Sequence, residues 1–201
     1  MESSYPACHL PNSLYGKEFQ SFTKKDLKQY FEWFLSIKQS RVKIFIEDML
    51  RLFPSFPILN KFEKLDYIEQ YINHTIKDNS NNKIVKFYLQ QFDLNQKTVE
   101  YDFESQNRIF DISIFIGDFI ISELDNTKWH LFGNKSKKDY YFAKIVLTTV
   151  DENIFKIYAP FDKMTFWTTH KILQDKYYKP LKQEISTVIE NWNKEIELPN
   201  L

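Results

Sequence analysis

Residues 109–124, IFDISIFIGDFIISEL, decide how the whole chain is read. As a strand, this stretch would put Ile109, Phe115 and Phe119 on the same face as Asp111, Ser113 and Gly117, a face that mixes apolar and polar residues. As a helix, Asp111, Asp118 and Ser122 collapse into one polar strip about 40° wide, with nearly everything else apolar. The second pattern predicts a central, almost fully buried helix. Ser113 and Gly117, one turn apart, then form a notch that would let another backbone approach closely.

Upstream, Leu27, Phe31, Phe34, Ile37, Val42, Phe45, Met49 and Leu52 share one arc of an amphipathic pattern over residues 27–53. Thr23 and Asp26 in front of it have the spacing of a capping box, and Pro54 and Pro57 stop it. The pattern is one long helix, or two helices meeting near Ser40. A second stripe, Phe62, Leu65, Ile68, Ile72 and Ile76, follows Asn60, and residues 83–92 satisfy both periods, with helix preferred. Downstream, residues 141–150 and 154–158 flank Asp151-Glu152-Asn153 as a hairpin, to which 129–132 can add a third strand. Pro160 ends the pairing. A helix over 161–173 and a cleaner one beginning near Pro180, with Leu181, Ile185, Val188, Ile189, Trp192 and Ile196 in its stripe, complete the chain. The expectation is an α+β fold in a single domain over 1–201. It has a helical N-terminal half, a central buried helix, a small antiparallel sheet of two or three strands and C-terminal helices, with residues 1–22 as an arm packed on the core.

Composition narrows the function classes. Lys+Arg and Asp+Glu each number 27, so the net charge is zero. A pI near 6.9 lacks the basic excess a nucleic-acid binder needs. No apolar run is long enough to span a bilayer, and one cysteine, Cys8, suits a reducing compartment, so a cytoplasmic protein is expected. Phe (19) and Tyr (12) are abundant while Gly (3) is scarce, the codon signature of a low-G+C genome rather than of selected aromatic chemistry. Three scattered glycines make neither a P-loop nor a dinucleotide fingerprint, and no GxSxG elbow exists. His9, His74, His130 and His170 share no metal-ligand spacing, and with Cys8 they supply no zinc set, so neither metal nor cofactor is expected.

Charges inside apolar arcs carry the most information. Asp111 and Asp118 lie in the most apolar segment, and about 10 Å of axial rise between them is too much for one metal ion without other ligands. Buried charges need partners. Arg41 falls inside the apolar arc of the first helix, in a chain that uses lysine almost everywhere else, and a retained guanidinium points to a bidentate carboxylate contact. The expected pair is Arg41 with Asp118 first and with Asp111 second. For a ligand or a partner, the candidate residues are Asp118, Trp129, Trp167 and His170.

The segments Phe22–Arg41, Asp111–Phe119, Leu124–Trp129 and Ala159-Pro160-Phe161 together resemble a family of uncharacterised bacterial proteins. In that family a helix with an aromatic-x-Trp-aromatic core and a later Arg precedes a central helix with Gly-Asp or Gly-Glu, then a Trp and a β-hairpin. The resemblance implies no reaction and, by analogy alone, a toxin-immunity or accessory role. The expected function is therefore a cytoplasmic binding or inhibitory protein, a monomer or homodimer that occupies the surface of a protein partner such as a toxin. It would have no activity of its own and bind no nucleic acid or membrane. The alternative is a small-molecule-binding domain or enzyme with a pocket near Asp118.

Overall fold

The computed structural model describes residues 5–77, 99, 101–133, 140–149, 156–174 and 176–194. Residues 83–92, expected as a helix, and the 151–153 turn lie outside them. The elements run α1 (Lys24–Leu52), α2 (Lys61–Thr75), α3 (Phe103–Glu123), β1 (Thr127–Phe132), β2 (Lys144–Thr149), β3 (Ile157–Tyr158), α4 (Pro160–Leu173) and α5 (Leu181–Asn193). The fold is α+β, as the sequence pattern requires.

Local chemistry sets the helix starts. Thr23 accepts from the Asp26 backbone and the Asp26 carboxylate accepts from the Thr23 N–H, a closed capping box that satisfies two otherwise orphaned groups. Lys17 bonds the same carboxylate at 2.8 Å, and these donors hold Asp26 well below the usual carboxylate range. Asn60 and Glu63 repeat the device at α2. No break occurs at Ser40, whose hydroxyl bonds back to the Ile37 carbonyl, so α1 is one 29-residue helix. Gln174 closes α4 in the left-handed conformation.

The core forms where α1, α2 and α4 meet α3. Phe34, Phe45 and Met49 of α1, Leu65, Ile68 and Ile72 of α2, and Ile112, Ile116 and Ile120 of α3 are all buried in one cluster, with Met164 and Trp167 of α4 and Leu181 and Ile185 of α5. The sheet is antiparallel in the order β1-β2-β3. Trp129 pairs with Leu147 and Leu147 with Tyr158, so three large side chains share one face. β2 begins three residues later than the sequence suggests, because 141–143 form a turn in which Ala143 has φ 59°. A second cluster of Leu14, Phe22, Leu27 and Ala143 fixes the middle of the N-terminal arm to α1.

The notch on α3 has a different occupant from the expected backbone. The Trp129 indole lies on Gly117 so closely that a Cβ there would stand 2.2 Å from its Cζ2. Ser113 meanwhile turns its hydroxyl inward to the Ile109 carbonyl. Gly117→Ala is expected to destabilise the protein by about 1–3 kcal/mol through overpacking. The cost should shrink in a Trp129→Phe background, where a smaller ring meets the new methyl. Urea unfolding of the four variants checks this, and equal costs in both backgrounds would refute the packing account.

Candidate functional site

Two polar centres sit on α3, two turns apart. At the first, Arg41 faces Asp111 in a bidentate pair, Nε to Oδ1 at 2.7 Å and Nη2 to Oδ2 at 2.8 Å. Both side chains are buried, at 6% and 0% exposure. The expected Arg41–Asp118 contact is thus replaced by the second choice. The reason is register: Lys38, about one turn before Arg41 on α1, is the residue that meets Asp118, and Arg41 then falls beside Asp111.

The pair does not stand alone. Tyr5, from the arm, donates its hydroxyl to Asp111 Oδ2 at 2.6 Å, and the remaining Arg41 protons go to the carbonyls of Pro6 (3.1 Å from both Nη atoms) and Ala7 (3.3 Å). The Cys8 backbone N–H donates to Asn107 Oδ1 at 2.7 Å. Arg108 stacks on the Tyr5 ring at 4.6 Å and faces Glu104 at 3.2 Å and Asp48 at 3.5 Å. Burial pushes the Asp111 carboxyl up, while Arg41 and Tyr5 pull it down. Burial likewise pushes the Tyr5 phenol up and the Cys8 thiol up to about 11, so neither supplies an anion near neutral pH.

At the second centre, Lys38 reaches both Asp118 oxygens at 2.6 and 2.7 Å, and the Trp129 indole N–H donates to Oδ1 at 2.8 Å. Asp118 and Trp129 are therefore brought together, but as a clamp that holds β1 on α3. Phe161, packed on Trp129, lies in the first turn of α4, and Trp167 and His170 follow about 1.7 and 2.5 turns further along it. That is roughly 9–13 Å of helix rise, so the four candidate ligand residues do not converge. Trp167 donates to the Lys179 carbonyl at 2.8 Å and is part of the α4–α5 connection. His170 is 5% exposed, between Phe166 at 3.9 Å and Tyr177 at 5.4 Å between ring centroids.

A third carboxylate was not singled out by the sequence. Glu69 of α2 accepts from Lys171 Nζ at 2.8 Å, from the Tyr178 hydroxyl, and from the Leu181 N–H that opens α5 at 2.8 Å. Burial would raise its pKa, yet these donors outweigh it and hold Glu69 below the usual range. Tyr5, Lys38, Glu69 and Asn107 act through contacts distant in sequence, and Arg108 through one such contact, to Asp48, beside its local pair with Glu104. Tyr5 was legible only as one of the apolar residues of an arm laid on the core, and Arg108 only as another of the scarce arginines.

Among the described residues, no group of three His, Cys, Asp or Glu side chains could hold a metal ion, and no helix is long and apolar enough to cross a membrane. No family model, curated protein or solved structure matches the chain.

Arg41→Met is expected to cost about 3–5 kcal/mol, because it strands a buried carboxylate. The double variant Arg41→Met/Asp111→Leu should cost clearly less than the sum of its singles, and additive costs in urea unfolding would contradict the pairing. Glu69 gives a pH effect of defined sign. Its pKa is depressed in the folded state, so its contribution is complete above the unfolded-state value and is lost as pH falls through the folded one. Glu69→Gln should therefore lower stability at pH 7 and narrow the gap to wild type on acidification below about pH 4.5. A gap that stays constant from pH 7 to pH 3 would sink this assignment.

Proposed function

We propose that the chain acts by binding another protein, in the cytoplasm and without chemistry of its own, through the outer face of α4 and the turn that follows it. The observation that carries this reading is an aromatic cluster at the surface. Phe166 and Tyr177 are each 52% exposed and pack edge-on against the buried His170 ring between them. Exposed aromatic side chains of this kind supply contact area at low entropic cost and anchor interfaces. Lys163 lies one turn from Phe166 on the same face, and Lys176 sits over the Tyr177 ring at 5.0 Å, so the aromatic centre has a basic edge. An acidic protein surface is the matching partner. A toxin-immunity or accessory role is the specific form we favour. The alternative pocket at Asp118 gains no support, since both oxygens of that carboxylate are taken by Lys38 and one also by Trp129.

Affinity capture from the native cell with the wild-type chain and with Phe166→Ala/Tyr177→Ala tests the reading. The double variant should keep its melting temperature and lose a partner that the wild type retains. The dissociation constant should rise at least tenfold, and binding should weaken with salt. Equal capture by both proteins, or a co-purified metabolite with no protein, would reject the α4 face.

A further inference from the structure

We infer that the seam between α1 and α3 is a peptide-binding cleft, and that the chain's own Tyr5–Cys8 segment occupies it as a displaceable strap. The ligand class is an extended peptide headed by tyrosine. This site is separate from the α4 face and stands or falls independently of it.

The contacts to the strap are of the kind that recognise a peptide rather than those of a packed core. Within four residues, Arg41 takes the Pro6 and Ala7 carbonyls and Asn107 takes the Cys8 N–H, so side chains on two different helices bond the main chain. Such bonds are available to any extended backbone. Selectivity comes from the first position. Its socket is walled by the guanidinium groups of Arg41 and Arg108, 5.9 and 4.6 Å from the ring centre, and floored by the Asp111 carboxylate, which accepts the hydrogen bond that the phenol O–H donates. Phenylalanine would fill the socket and leave that carboxylate one donor short.

The cleft is also built to persist when the strap leaves. Asp111 holds Arg41 in place by its bidentate pair, and Asn107 is oriented by its own bond to the Phe103 carbonyl at 2.7 Å. Arg108 is held between Asp48 and Glu104. None of these supports comes from the arm. The strap moreover leaves space beside it, a cavity of about 70 Å³ lined by Tyr5, Pro6, Ile44, Glu47, Asp48 and Arg51. Behind the strap, Leu14 and Phe22 anchor the rest of the arm in a separate cluster, so residues 5–8 can lift without uprooting it. A tethered strap competes at an effective concentration on the order of millimolar, which a partner segment must match.

Cys8 is the only thiol of the chain and sits in the strap, so its reaction with a disulfide reagent reports opening directly. In the full-length protein, labelling should be slower than in urea-unfolded chain. It should also be independent of urea at low concentration, as local opening requires. Acetyl-Ser-Tyr-Pro-Ala-Ser-amide at about 10 mM should raise the rate at least tenfold, given the competition above, whereas the same peptide with alanine for tyrosine should leave it unchanged. Tyr5→Phe should raise the rate about tenfold without peptide. Equal effects of the two peptides, no effect of either, or labelling that occurs only with global unfolding would overturn the proposal.

Discussion

A guanidinium cannot be left bare in a protein interior, and Arg41 is nearly out of reach of water. Its demand for acceptors organises the structure around it. Asp111 answers from the middle of α3, and the carbonyls of Pro6 and Ala7 answer from the arm, so one side chain of α1 joins three segments far apart in sequence. The apolar faces of α1 and α3 could pack in several registers at similar cost. Only one of them brings Arg41 to Asp111 and Lys38 to Asp118 together. Hydrophobic burial drives the association, and the buried charges select its register.

The same division explains what could be read in advance. Periodic features were legible: the α1 and α2 stripes, the capping pair Thr23 and Asp26, the central helix and the hairpin strands each follow from local spacing, whereas the cap that Asn60 forms with Glu63 was not read. The misfit of Arg41 in an apolar arc announced a buried pair. Its choice between Asp111 and Asp118 depends on how far α1 slides along α3, and no local pattern encodes that. The Gly117 notch was visible too, but its occupant, the Trp129 indole, arrives through a turn at Asn126 with φ 59°. Tyr5 and Asn107 belong to no period at all. Their importance comes entirely from where the arm lands.

For function, the two carboxylates of α3, Asp111 and Asp118, are each taken up by partners within the fold. Asp118 spends its oxygens on Lys38 and Trp129, and Glu69 gathers α2, α4 and α5 at the point where α5 begins. Such groups specify architecture. What differs in kind is an exposed aromatic pair with a basic edge, Phe166 on α4 and Tyr177 just beyond it, and the Tyr5–Cys8 strap, whose displacement by another peptide is our proposal. Both are the grounds on which we propose that the chain meets other chains.

With three arginines in the chain, the side-chain Nε–H region of a proton–nitrogen NMR spectrum can be assigned completely from single substitutions. Arg51 is 65% exposed on the same helix as Arg41 and serves as the internal reference. If Arg41 is the buried organiser, its Nε–H should give a distinct resonance at pH 7 that exchanges with water far more slowly than that of Arg51. Arg41 and Arg51 exchanging at the same rate in the folded protein would contradict the account.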